Sequence, residues 1–377
     1  MNFKITTLTP VHVGTGENNL SILYHPGQKN ILNCYNFNEL LKSIPKDKLL
    51  NLEIINPSNQ GKRAINNLFN QYVDYSQIPI KYSLKNYDGY NRKDVSEQIK
   101  SANRPYIPGS SIKGAIMNCI IYAMLEDKKA KIKSVLNEIQ YIKQRQFEST
   151  LFTNLYDKDF NDVFTLFSSC IICHDLYYDQ LLLCSSQRLN MGNNSPKFQN
   201  IECIDINLVT IDNLIEINEN KKNVFINKYR KKLNDEYNIL TKFLNINNII
   251  ITCRDYYRHL IEEEKDYFIT DSHNYFVEND FEGRYEIASF LNQLSFDNKN
   301  TFYLRIVSGT NYFYKSVSLY IKKIYLDYYE QNFKLFTPVS LKSKVHPSND
   351  TMPKTRTVVT TNNHTYLAGY LKIEKID

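Results

Sequence analysis

A chain of 377 residues exceeds the ~250–300 at which one hydrophobic core stops growing, so two domains are expected. With 42% hydrophobic residues, a mean hydropathy of −0.45 and no apolar run of ~18 residues, it reads as globular and excludes a membrane-spanning class. The net charge of +6 suits a polyanionic partner but is weaker than the footprint of a stand-alone nucleic-acid binder.

The N-terminal FKITTLTP alternates like a strand and lacks a signal peptide's apolar core, so a cytoplasmic protein with seven reduced cysteines is expected. A strand is predicted near SILYH, a polar helix near NFNELLKSI, and an irregular or helical insertion over 51–103. IKGAIMNCIIYAMLED reads as a helix with Ile112, Ile116, Ile120 and Met124 along one face, followed by charged helical material over 126–163. LFSSCIICHDLYY and LLLC read as core strands, SSQRLNMGNNSPKFQNIE as a loop or hairpin, and IECIDINLVTIDNLIEI as an alternating strand pair. Beyond a helical NVFINKYRKKLNDEYNILTKFL, the chain closes with strand FYLRIVSG, a helix from Ser316 to Tyr329 and strand YLAGYLKI. Strands interspersed with helices, without regular βα alternation, predict an α+β fold.

Several segments carry candidate chemistry. In RPYIPGSSIKGAI, Pro108 and Gly109 form a turn, and Ser110 or Ser111 is expected to cap a helix beginning near Ile112. A phosphate there would accept the free first-turn amides and serine hydroxyls beside Lys113, with Gly114 allowing close approach. Gly114 is followed by Ala115 rather than Lys, so the nucleotide-hydrolysing loop pattern fails. An ordinary capped helix accounts for the same residues.

His12, in PVHVGTGE, is placed to act as a general base or to serve as a structural histidine at a strand end. Cys170 and Cys173 have metal-like spacing, but no second such pair follows and the run reads as buried, so no metal is expected. Arg305 and Lys315 flank the turn at Gly309, and Lys354 and Arg356 share a face if extended. The 29 Tyr and 20 Phe without Trp accompany abundant Asn, Ile and Lys, as AT-rich codons produce; base stacking is assigned to a minority of rings.

In order, PVHVGTGE, YIPGSSIKGAI, LRIVSGTNYFYKSV, PKTRTVV and YLAGYLKI resemble the RAMP superfamily of CRISPR systems. More narrowly, the set is similar to the subunit that caps the 3′ end of the guide RNA in type III-A Csm complexes. The resemblance implies two ferredoxin-like (RRM-like) modules, here 1–217 and 218–377, with insertions near 51–103 and 126–163. It implies guide RNA and a neighbouring RAMP backbone subunit as partners, alongside other Csm subunits and host nucleases recruited for maturation, with no cofactor. Gly109, Ser110, Ser111, Lys113 and Gly114 would then lie at the RNA surface, with Arg104, Arg305, Gly309, Lys315, Lys354 and Arg356 as further contacts. Val307 and Asn311 stand where family members often have glycine, and Tyr370 where they often have tryptophan. The resulting expectation is a non-catalytic guide-RNA subunit of antiviral defence. The alternatives are a metal-independent endoribonuclease using His12, with Lys113 stabilising charge, or another type III RAMP subunit.

Overall fold

The computed structural model describes residues 1–49, 59–139, 144–190, 198–269, 283–307, 316–332 and 355–376. In the first strand, Asn2–Thr7, Phe3, Ile5 and Thr7 point into the core while Asn2 and Lys4 face outward, as the alternation predicts. This strand is internal to a four-stranded antiparallel sheet ordered Val209–Asp212, Asn2–Thr7, Tyr370–Ile376, Thr301–Arg305. The sheet thus joins strands from both ends of the chain and from both sides of residue 217. Phe3 meets Phe302 edge-on, with ring centres 6.3 Å apart.

Helix Gly109–Asp127 buries the predicted face, Ile112, Ile116, Ile120 and Met124, and buries Ala115 and Cys119 beside it. Its main neighbour is helix Ile246–Ile269, which sequence periodicity leaves unassigned. Tyr122 packs edge-to-face on Tyr256 and Tyr320 at 5.3 and 5.2 Å. The same long helix lies on strand Thr301–Arg305, where the Arg305 amide donates to the Tyr257 hydroxyl at 2.9 Å.

A second sheet runs, in spatial order, through Gly14–Asn19, Val95–Gln98, Phe198–Ile204, Leu181–Asn190, Ile80–Lys85, Ile31–Tyr35 and Tyr24–Pro26. Thr355–Thr361 also pairs with Leu181–Asn190 and carries His364–Tyr366 beyond it. Leu181–Asn190 and Phe198–Ile204 pair antiparallel, in line with the hairpin alternative of the loop-or-hairpin reading, from Leu181 opposite Ile204 to Gln187 opposite Phe198.

Three expectations are corrected. The insertion predicted over 51–103 holds for helix Asn59–Tyr72, but Ile80–Lys85 and Val95–Gln98 are strands within the second sheet. Ile80, Tyr82 and Leu84 do alternate with Lys81, Ser83 and Lys85, but only Leu84 is buried and the short pattern sits in an Asn- and Lys-rich stretch of weak periodicity. The strands within IECIDINLVTIDNLIEI do not pair with one another. Phe198–Ile204 joins the second sheet, Val209–Asp212 the first, and Ile215–Ile217 pairs with Ile171–Cys173. Alternation reports which face is buried, not which strand lies alongside. Residues 126–163 are helical as predicted, but helix Phe160–Ser169 takes in Leu166–Ser169, expected as strand.

Candidate nucleic-acid interface

Strand Arg104–Ile107 leads directly into helix Gly109–Asp127, whose N-cap is Pro108 with no side-chain capping bond. Ser110 and Ser111 therefore occupy the second and third helical positions and do not cap the helix, contrary to expectation. The strand pairs antiparallel with Leu176–Tyr177, Ile107 opposite Leu176, and continuing that register brings Asp175 to the helix start. The Gly109 amide donates to Asp175 Oδ1 at 2.7 Å. The Ser111 and Ile112 amides both donate to the Pro108 carbonyl, at 2.9 and 3.2 Å. The carboxylate thus holds one of the positions assigned above to phosphate, and complements the helix dipole itself. Asp175→Ala is expected to lower stability by about 1 kcal/mol, read as a lower urea midpoint; an unchanged midpoint would refute the capping role.

Gly109 is needed for packing rather than for ligand approach: a Cβ there would collide with the Cys173 carbonyl oxygen. Gly114, in contrast, faces open space. Ser110 and Gly114 are exposed and Lys113 is half-buried, and the i, i+3, i+4 spacing gathers all three on one stripe. Desolvation by burial holds the Lys113 ammonium below the ordinary lysine value, and the nearby charge of Lys221 adds to this. Among the described residues no carboxylate pairs with Lys113 or Lys221. Two unneutralised cations beside free hydroxyls can accept an anion without first breaking an ion pair. Burial pushes the neighbouring Cys173 thiol up to about 12, which keeps it protonated and a poor metal ligand.

Arg104 is exposed and donates to Asp179 at 2.8 Å, with its guanidinium 5.4 Å from the Tyr177 ring centre. Tyr177 in turn stacks on Tyr106 at 5.3 Å. Arg305 is corrected from a surface flank to a core residue. It is buried, donates from Nε to the Ala368 carbonyl at 3.0 Å and lies 5.5 Å from the Tyr370 ring centre. All five residues of its strand are buried, so the strand has no solvent face to present a cation. Gly309, Lys315 and Lys354 lie outside the described residues, as does the side chain of Arg356, whose backbone pairs opposite Leu189.

His12 is buried, and its Nδ1 donates to the Glu202 carbonyl at 2.7 Å, which leaves Nε2 as the ring acceptor. Desolvation lowers its pKa from 6.5, so the ring is neutral. The Glu202 side chain accepts from Tyr24 and Tyr82 hydroxyls at 2.9 and 2.7 Å, from the Gln98 amide at 3.1 Å, and from Lys100. His12 thus forms part of a closed polar cluster inside the second sheet. Asp175 and Lys221 escape sequence reasoning, since each meets the helix start only through tertiary contact.

These features define an α+β protein in which the half-buried Lys113, at the start of a core helix, and the nearby Lys221 have no carboxylate partner among the described residues. The chain belongs to the RAMP superfamily, whose family model matches residues 4–336. It is similar, at TM-score 0.64 and 17% identity, to a chain of a cryo-EM structure of a Csm–crRNA–target RNA ternary complex in a type III-A CRISPR-Cas system; 99% of this chain and 100% of that one are covered. It is also similar to the crystal structure of T.onnurineus Csm5, at TM-score 0.56 and 18% identity, over 98% of this chain and 99% of that one. No curated protein sequence matches it.

Proposed function

We propose that this chain is a non-catalytic subunit of a type III-A Csm ribonucleoprotein that binds the 3′ part of the guide RNA and supports its maturation. The observation that carries the reading is the end-to-end likeness to Csm-complex chains, joined to RAMP membership. In this reading the chain carries two ferredoxin-like modules, and the protein works in the cytoplasm. Ser110 and Lys113, with Lys221 added, contact phosphates of a guide whose bases vary, so contacts to the backbone rather than to base edges are required. A neighbouring RAMP subunit shares the same RNA, which suits a net charge of only +6. Host nucleases are then recruited rather than replaced.

The endoribonuclease alternative draws on the neutral ring of His12, the protonation state a base needs; the burial of that ring and its bond to the Glu202 carbonyl support the non-catalytic reading instead. Tagged protein is expected to co-purify with a filament subunit and short RNAs of stepped length, and gene deletion to remove the shorter species. With labelled repeat RNA in EDTA, the protein and its His12→Ala variant should both leave the RNA intact. Discrete products that vanish in His12→Ala would overturn the non-catalytic reading. Lys113→Gln with Lys221→Gln should weaken RNA binding, and unchanged affinity would remove the helix start from the interface.

A further inference from the structure

A second basic cleft, of about 510 Å³, opens along the N-terminal turns of helix Ile246–Ile269. Arg254 and Arg258 stand one turn apart on its wall, Lys299 and Lys375 face them, and Ile251 forms an apolar ledge. Asp255 supplies the one carboxylate among the described lining residues. The volume falls within the ~300–1,000 Å³ of small-molecule sites.

The charges in this cleft are largely uncompensated. Asp255 approaches Arg258 only to 3.7 Å, and both are exposed enough for water to screen the pair. Lys375 donates to the neutral amide oxygen of Asn247 at 3.1 Å, which leaves its charge unbalanced. Arg254 is about nine-tenths buried; one terminal nitrogen donates to the Phe296 carbonyl, but its Nε has no partner. A buried guanidinium with an idle donor is costly unless an acceptor arrives from outside. The planar guanidinium matches the oxygens of a phosphate, and the lysines add point charges around it.

We propose that this cleft binds a phosphate group, and that in the working protein the phosphate belongs to an RNA backbone. The second half of that statement rests on the RNA-binding reading above. The exposed Ile251 offers a surface for the adjoining sugar or base.

The test uses the full chain and an Arg258→Gln/Lys299→Gln variant, which spares the buried Arg254. Circular dichroism melting verifies that the variant folds. With single-stranded RNA of mixed sequence, the variant is expected to bind about tenfold more weakly at moderate salt. Its plot of log affinity against log salt should flatten by about 0.7 for each phosphate that is no longer neutralised. Inorganic phosphate should raise the melting temperature of the parent protein and not of the variant. If the parent fails to bind RNA but the phosphate shift appears and is abolished in the variant, the cleft stands as a phosphate site and the RNA reading falls. If the parent binds RNA and the variant matches it in affinity and salt slope, the cleft proposal is overturned alone. Loss of a co-purifying protein subunit with RNA affinity unchanged would overturn it in favour of acidic protein docking.

Discussion

Gly109→Ala is expected to destabilise the protein by about 3 kcal/mol, while Gly114→Ala, five residues along the same helix, stabilises it by about 0.5–1 kcal/mol. The added methyl at 109 would run into the Cys173 carbonyl oxygen and sit 2.7 Å from its carbon. Both are backbone atoms of strand Ile171–Cys173, which is paired to Ile215–Ile217 and cannot swing aside as a side chain would. Relief requires moving the helix start, which would also stretch the Gly109–Asp175 bond. At 114 the methyl enters open space, so only the helix-propensity gain remains. Urea midpoints of the two variants should move in opposite directions, and a shared direction would refute the packing account.

The second large effect lies in the cluster around Glu202. Lys100→Met is expected to cost about 3–5 kcal/mol, because it leaves a fully buried carboxylate without its cation. The Tyr24 and Tyr82 hydroxyls still donate to that carboxylate, and burial together with the Glu202 charge holds both phenols well above their ordinary value, firmly protonated. Pairing Lys100→Met with Glu202→Gln should cost clearly less than the two single changes added together, since the orphaned charge is gone. Additive losses in chemical denaturation would show that the ion pair is not the organising interaction. His12 would register the same disturbance through its bond to the Glu202 carbonyl. That bond ties the His12 ring to the cluster's packing.

Local pattern made the core helix legible, because Ile112, Ile116, Ile120 and Met124 repeat at the helical period and all four are buried. The same holds for Asn2–Thr7, whose alternation matches its two faces. Strand Ile80–Lys85 alternates too, with Ile80, Tyr82 and Leu84 at every second position, but only Leu84 is buried and the Asn- and Lys-rich surroundings hide so short a pattern. Glycine composition was equally mute about purpose. Gly109 and Gly114 look alike in the sequence, yet one meets the backbone of a strand and the other meets nothing.

Three properties were readable from the chain as written: the ordered motifs that mark a RAMP protein, the helix carrying Ser110 and Lys113, and the failure of the nucleotide-loop pattern. All of these depend on neighbours within a few residues or on order along the chain. Which cations are available was settled only by folding. The fold buried Arg305 between covered faces, brought Lys221 beside Lys113, and set Asp175, 66 residues from Gly109, on the helix start. It also gathered Arg254, Arg258, Lys299 and Lys375 from a helix, a turn and a strand into one cleft. Charge availability depends on burial and on partners distant in sequence, and RPYIPGSSIKGAI itself specifies neither.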